Sequence, residues 1–160
     1  MNIFMISSVA QWSSRISAVS LSGRAIRWLD SIPYALLAFP LRLAVAIVFW
    51  NSAQSHLANW DTTLYLFETD YALPFLPPVP AACMAVAIEV TTPILLVLGL
   101  LTRAAALVLL GMTTVIEVFV YPEAWPTHIK WAAMLFVLLA RGPGRLSLDW
   151  LIRRRFLDES

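Results

Sequence analysis

The sequence predicts an all-α fold, a four-transmembrane-helix antiparallel bundle preceded by an N-terminal interfacial segment. Of the 160 residues, 60% are hydrophobic and only 13% are charged, whereas soluble domains average about 45–50% apolar and about 25% charged residues. Several apolar runs approach the roughly 20 helical residues that cross a bilayer core. Basic residues also concentrate in the segments that such helices would place on one side of the membrane, as in most membrane proteins.

Residues 1–31 are predicted to form an amphipathic arm in the cytoplasmic interface. Apolar residues such as Trp12 and Ile16 recur near helical spacing, with Arg24 and Arg27 roughly opposite them. A Ser-rich disordered arm is the alternative. A cleaved signal peptide is not expected, because no basic region precedes the first apolar stretch.

A membrane domain is predicted over residues 32–155, followed by a cytoplasmic tail at residues 156–160. Its four spans are expected at about residues 34–52, 80–101, 104–121 and 125–140. The fourth span is short and needs Lys130 to extend its ammonium group to the interface. Few residues separate spans two and three, so these helices should be antiparallel neighbours.

The basic residues predict the orientation of the bundle. Nine of the eleven fall before span one, between spans two and three, or after span four. Lysine and arginine near helix ends stay preferentially on the cytoplasmic side. We therefore expect four crossings of a cell inner (plasma) membrane, with the N- and C-termini both cytoplasmic.

The longest loop is expected to lie on the outer surface and to contain a short helix with Asp61 as its N-cap. Apolar residues recur through this segment at helical spacing, namely Trp60, Leu64, Phe67 and Tyr71. The PFLPPVP stretch at residues 74–80 should return the chain in an extended path. After span four, a turn at Pro143–Gly144 and a short helix capped by Ser147 are expected.

Arg42 and Glu89 are the charged residues predicted to lie deepest in the membrane, and both are candidate catalytic residues. Counted from opposite faces, each falls roughly 12–14 Å deep. A charge at that depth costs at least about 2.5–3.5 kcal/mol, so each needs a partner. One interpretation is an ion pair that joins two helices. The other is a carboxylate that handles protons or binds a ligand, with Pro93 leaving the carbonyl of residue 89 without its helical donor.

A polar cluster is predicted at the outer end of the bundle. Its members are His56, Glu117, His128, Asn51, Gln54 and Tyr121. Histidine and carboxylate groups are metal ligands, and two histidines can hold a haem iron. No close ligand spacing such as HxxxH supports either group, so no metal site is predicted and haem is disfavoured. A pocket for a quinone head group agrees better with a few titratable groups in an apolar slot.

Composition excludes other classes of function. The net charge of +1 provides no basic field for nucleic acid. The single cysteine, Cys83, permits no internal disulfide, no thiol couple and no four-cysteine iron–sulfur site.

Several stretches together resemble the DoxX family of small membrane proteins. They are LRLAVAIVFWNSAQSHL (41–57), TTLYLFETDYALPFLPP (62–78), AIEVTTPILLVLGLLTR (87–103), GMTTVIEVFVYPEAWPTHIKW (111–131) and ARGPGRLSLDWLIRR (140–154). The resemblance implies a four-helix membrane bundle, and some such proteins are linked to quinone-dependent sulfur oxidation or to membrane oxidoreductase complexes. Family members often carry Gly and then Lys at the end of the first span, where this chain reads NSAQSH over residues 51–56.

Two functions therefore stand as hypotheses. In the first, the chain is a membrane component of a quinone-linked oxidoreductase system, a non-autonomous subunit that binds quinone or supports a membrane or soluble redox partner. In the second, it is a non-catalytic scaffold that anchors a soluble partner or helps handle a metal or small solute. Transport would require a homo-oligomer, a state that the sequence leaves open, because four helices leave little room for a central site.

Overall fold

The computed structural model describes residues 23, 24 and 26–156, and within them the fold is all-helical. The α-helices there are α1 Tyr34–Ala58, α2 Trp60–Thr69, α3 Pro78–Leu98, α4 Thr102–Val115, α5 Trp125–Arg141 and α6 Leu148–Phe156. A π-helical turn, Ile116–Val120, continues α4, and a 3₁₀ turn, Pro122–Ala124, precedes α5. The all-α prediction is confirmed for this part of the chain.

The chain divides into two units, residues 1–33 and the remainder. The described part of the first unit is helical at its N-terminal side, and Arg24 is exposed there. The predicted interfacial positions of Trp12 and Ile16 lie outside the described residues. So does most of the predicted tail, residues 157–160.

Three helical segments of the described chain are long and apolar enough to cross a membrane: Tyr34–Ala58, Pro78–Leu98 and Thr102–Val120. They overlap the first three predicted spans. The fourth predicted span corresponds to α5, which has 17 residues. Its crossing of the membrane, and with it the count of four, stays a prediction.

The bundle core is built mainly where α1 packs on α3 and α4 packs on α5. Buried apolar side chains from these helices form one cluster: Val45, Ala46, Phe49, Leu96, Ala105, Ala106, Leu109, Leu135 and Leu138. Hydroxyl groups within the apolar helices bond to the backbone four residues earlier, as Thr92 does to Ile88 and Thr113 to Leu109. This local bonding satisfies threonine without a partner on another helix.

Helix α2 forms as expected, but its N-cap differs from the predicted one. Its N-cap is Asn59, whose Oδ1 accepts a hydrogen bond from the Thr62 N–H at 3.0 Å, so the assignment of Asp61 as the cap is wrong. Asp61 instead lies in the first turn, where a carboxylate interacts favourably with the helix dipole.

The extended path predicted through residue 80 is too long, because α3 begins at Pro78. Proline is tolerated there, since the first turn of a helix needs no N–H donor.

At the opposite end of the bundle, the chain after α5 packs on the turn between α3 and α4. We call this the turn end, and the other the α2 end. The Asp149 carboxylate accepts hydrogen bonds from the N–H groups of Leu101 and Thr102 at 2.8 and 3.0 Å. It thereby caps the N-terminus of α4. Ser147 Oγ accepts from the Trp150 N–H at 3.2 Å, which confirms Ser147 as the cap of a short helix.

Candidate functional site

A cavity of about 360 Å³ lies near the α2 end of the bundle. Its wall is mostly apolar, with aromatic rings from α1, α2 and α5. The lining residues are Val48, Phe49, Ser52, His56, Phe67, Tyr71, Leu73, Ala81, Met84, Ala85, Ile88, Glu89, Val108, Met112, Val115, Ile116, Val120, Tyr121, His128 and Trp131. This volume is in the range of small-molecule sites, which combine apolar walls with a few polar groups.

Glu89 forms the first polar group of the cavity together with two residues of α1. Its Oε2 is 2.8 Å from His56 Nδ1, and its Oε1 accepts a hydrogen bond from Ser52 Oγ at 2.8 Å. Ser52 and His56 lie on the same face of α1 because residues four apart are neighbours on a helix. The Glu89 side chain is only 2% exposed, so both of its oxygens are satisfied inside the protein.

His128 and Glu117 form a second pair of the same kind. His128 Nδ1 lies 2.6 Å from Glu117 Oε2. Glu117 belongs to the π-helical turn, in which the Tyr121 N–H donates to the Ile116 carbonyl at 2.8 Å. A π-helical turn is wider than an α-helical one and often occurs at functional sites.

Both histidines are therefore held through Nδ1, and no other described residue forms a hydrogen bond with either Nε2. A neutral imidazole has one donor and one acceptor nitrogen, and the bond made by one nitrogen determines what the other presents. The two Nε2 atoms therefore have no hydrogen-bond partner among the described residues.

Tyrosines and phenylalanines continue from the cavity toward the surface at the α2 end. Ring centroids of Phe67 and Tyr71 are 4.8 Å apart, and those of Tyr71 and Tyr121 are 5.8 Å apart. Burial raises the pKa of Tyr71 above its ordinary value. Tyr71 therefore keeps its proton at neutral pH and can donate it in a hydrogen bond.

The structure brings most of the predicted site residues together. His56, His128 and Tyr121 line one cavity, and Glu117 lies behind His128. Glu89, predicted as a separate deep residue, joins this cluster. Asn51 and Gln54 do not, because both are exposed on other faces of α1. The sequence interpretation overlooked Ser52, although its position one turn before His56 was a usable signal.

The predicted ion pair between Arg42 and Glu89 is wrong. Within the described residues, the ion-pair contacts are those of Glu89 with His56 and of Glu117 with His128. The prediction counted depth as though α1 and α3 ended level with each other. In the structure, a Cβ on Gly99, just past the end of α3, would meet the Arg42 guanidinium, so α1 extends well beyond α3. Glu89 is level with Ser52 and His56, which lie roughly 15–21 Å along α1 from Arg42.

Arg42 instead belongs to the turn end, where its residue is 1% exposed. Its Nη2 donates a hydrogen bond to the Leu146 carbonyl, and its guanidinium lies 5.7 Å from the centre of the Phe39 ring. Gly99 provides the room, because a Cβ there would lie 2.0 Å from Arg42 Nη1. This arrangement joins α1 to the segment that follows α5.

Histidine and carboxylate groups do not gather into a metal-binding set in the part of the chain described. No cluster of three or more His, Cys, Asp or Glu residues there could hold a metal ion. Each histidine has one carboxylate beside it. The cluster is thus two separate imidazole–carboxylate pairs that border one apolar space.

Helices of this length and apolar character, arranged around such a cavity, define a small helical membrane protein. The DoxX family model matches residues 37–122, more than half of the chain, and the chain belongs to the DoxX family. It is 27% identical to a Haemophilus influenzae protein described as uncharacterized, over 69% of this chain and 82% of the other. No solved structure matches the chain.

Proposed function

We propose that the chain binds a quinone in the cavity near the α2 end, as a membrane component of a quinone-linked oxidoreductase system. The observation that carries the proposal is a pair of histidines that line one apolar cavity, each held through Nδ1 by a carboxylate. A quinone head group is a flat apolar ring with two oxygens. It requires an apolar slot and a few polar groups that can donate hydrogen bonds to the quinone oxygens and accept them from the quinol hydroxyls.

The imidazoles suit both redox forms of such a ligand. With Nδ1–H bonded to a carboxylate, a neutral imidazole presents Nε2 as an acceptor for a quinol hydroxyl. A protonated imidazole presents Nε2–H as a donor for a quinone carbonyl. Phe49, Phe67 and Trp131 provide rings against which the head group can pack.

Electrons would have to come from a partner protein. The single cysteine, Cys83, excludes an internal dithiol couple within the chain. We therefore propose that the chain binds quinone and exchanges protons, while another subunit is the electron donor.

Titration with a short-chain ubiquinone tests this function. Trp131 lines the cavity and is one of seven tryptophans, so part of the tryptophan fluorescence of the detergent-solubilised protein should be quenched, saturably, as quinone binds. We expect Glu89→Gln and His56→Asn each to weaken binding about tenfold, the effect of losing roughly 1.4 kcal/mol. Glu123→Gln is the matched control, because Glu123 is an exposed carboxylate at the same end. Unsaturable quenching in the wild type, together with no quinone in its co-purified lipids, would reject the proposal.

The proposed topology has four crossings of an inner membrane, with both termini in the cytoplasm. Lys130 is the only lysine and is exposed near the α2 end, so an impermeant amine reagent should label it from the outside of intact spheroplasts. A cysteine placed by Arg154→Cys, in a Cys83→Ala background, should react with an impermeant maleimide only after lysis. Reaction of that cysteine in intact spheroplasts would contradict the orientation.

A scaffold is the second candidate function, and the exposed helix α6 favours it. Arg153, Arg154 and Arg155 are all exposed in its last turn, a charge pattern suited to an acidic protein surface. Deleting residues 150–160 should abolish co-purification of a soluble partner if this is the main task. Unchanged co-purification after the deletion would remove its support.

A further inference from the structure

The two imidazole–carboxylate pairs differ in how they reach the cavity and the surface. Glu89 and His56 both line the cavity, and the Glu89 side chain is 2% exposed. His128 lines the cavity, whereas Glu117 is not part of the lining and its side chain is 17% exposed. His128 thus lies between the cavity and a carboxylate that reaches the surface.

Glu117 lies inside the apolar segment Thr102–Val120, three residues before its end, so this surface is within about one helical turn of the polar chain that follows. The chain leaves the π-helical turn at Tyr121, and Tyr121, Pro122 and Glu123 are exposed. Charged residues cluster at this end, including exposed Asp61 and Lys130. Such residues stay out of a hydrocarbon core because burying a charge there costs at least about 2.5–3.5 kcal/mol.

We propose that His128 and Glu117 form a proton-exchange path between the cavity and the aqueous phase at the α2 end, while Glu89 and His56 hold the ligand. The proposal rests on the proposed function only for the identity of the ligand. The path itself requires a protonatable group in the cavity and water beyond Glu117.

Each transfer balances in protons and moves no electrons through the protein. Nε2 of neutral His128 accepts a proton from the cavity, and Nδ1 gives its proton to Glu117 Oε2 across the 2.6 Å contact. Glu117 then releases a proton to water and leaves His128 as its Nε2–H tautomer. A proton that returns through Glu117 to Nδ1, with loss of the Nε2 proton to the cavity, restores the starting tautomer. The same steps in reverse bring a proton in.

The other titratable groups around the cavity do not offer this route. His56 is 13% exposed, but its partner Glu89 is only 2% exposed and bonds to Ser52 and His56, so the carboxylate of that pair does not reach the surface. Tyr71 keeps its proton, because burial raises its pKa. Tyr121 is exposed but belongs to the aromatic contact with Tyr71, so Glu117 is the carboxylate beside the cavity with access to the surface.

Exchange of the imidazole N–H protons tests the path without any quinone. The chain has only two histidines, so ¹⁵N-histidine labelling of the protein in nanodiscs yields two imidazole spin systems, which His56→Asn assigns. We expect N–H exchange with solvent to be faster at His128 than at His56. Glu117→Gln should slow exchange at His128 by about 100-fold, the lower end of what a positioned acid–base side chain contributes.

Two further variants separate proton transfer from a structural role. Glu117→Asp keeps a protonatable group and should restore most of the exchange rate, which a loss of packing would not explain. Glu123→Gln should leave the rate unchanged. An exchange rate at His56 equal to or faster than that at His128 in the wild type would overturn the proposal, and this test does not depend on whether Glu117→Gln folds. A folded Glu117→Gln protein in which His128 exchanges at the wild-type rate would also overturn it.

The outcome is independent of the proposed function. If quinone does not bind but His128 exchanges through Glu117, the ligand is misidentified and the path stands. If quinone binds and Glu117→Gln leaves exchange unchanged, the quinone site stands and the path is rejected.

Discussion

The α2 end and the turn end both bury ionisable side chains, yet those side chains make different kinds of contact. At the α2 end, Glu89 and Glu117 each pair with a histidine beside a cavity of about 360 Å³. At the turn end, Arg42 bonds to a backbone carbonyl and packs where a Cβ on Gly99 would lie only 2.0 Å away. One end has room for a ligand, and the other is filled by its own chain.

The presence or absence of open space beside a buried charged residue distinguishes a functional role from a structural one more clearly than burial alone does. A buried charge in a membrane helix suggests a functional site by default, and both Arg42 and Glu89 meet that criterion. Only Glu89 lies beside an open space with titratable partners. Arg42 holds the segment after α5 in place, and we expect its loss to affect folding before it affects binding.

The largest expected effect is that of Gly99→Ala. Gly99 has a φ of +65°, which costs a non-glycine residue about 1–2 kcal/mol. Its new Cβ would also lie 2.5 Å from the Ser147 Cβ, and such overpacking costs about 1–3 kcal/mol. Thermal unfolding in detergent should show a large fall in the unfolding temperature or loss of folded protein.

Gly111→Ala is the matched control for this substitution. Gly111 lies within α4, and nothing lies within 4 Å of a Cβ added there. Alanine is favoured over glycine in a helix by about 0.5–1 kcal/mol, so this variant should be as stable as the wild type or slightly more so. An equal loss of stability in both variants would show that the turn end is not tightly packed.

Arg42→Met should lower stability and leave quinone binding intact. The substitution removes the hydrogen bond that Arg42 Nη2 donates to the Leu146 carbonyl, and a hydrogen bond made by a charged group contributes about 1.5–3 kcal/mol. Glu89→Gln should show the reverse pattern, weaker binding with a smaller change in unfolding temperature. Loss of quinone binding in a folded Arg42→Met protein would mean that the two ends are coupled.

Asp149→Asn should destabilise the protein moderately. The carboxylate caps the first turn of α4 through Leu101 and Thr102, and the loss of its charge weakens its interaction with the helix dipole by about 0.3–1 kcal/mol. Asp61→Asn provides the comparison, because Asp61 is an exposed first-turn residue of α2. The unfolding temperature should fall more for Asp149→Asn than for Asp61→Asn; the opposite order would contradict the capping role.

The smallest effect is expected at alkaline pH. Burial raises the pKa of Tyr71, so the folded chain holds this proton more tightly than the unfolded chain does. The stability it contributes is fully present below the unfolded pKa of about 10 and is lost as the pH rises above that value. Tyr71→Phe should therefore reduce the decline in unfolding temperature above about pH 10.

Tyr65→Phe should leave that decline unchanged, since Tyr65 is exposed. A decline that is the same in the wild type and in both variants would show that Tyr71 does not contribute to it.

Much of the secondary structure could be predicted from local patterns. The apolar runs identify α1, α3 and α4 because a spanning helix needs about 20 apolar residues, and Ser147 was predictable as a cap from its place before a short amphipathic segment. The choice of Asn59 over Asp61 as a cap was harder, since both residue types cap helices well. Helix start points depend on backbone angles that the side-chain pattern specifies only to within a few residues.

The sequence by itself determined that this chain forms apolar helices and carries a few ionisable groups at depth, because composition and helical periodicity are local properties. Only the tertiary structure decided which of those groups meet. Two apolar helices can slide past each other in lipid with little change in hydrophobic burial, so close packing and interhelical hydrogen bonds select their offset. That offset places Gly99 against Arg42 and brings Glu89 level with His56.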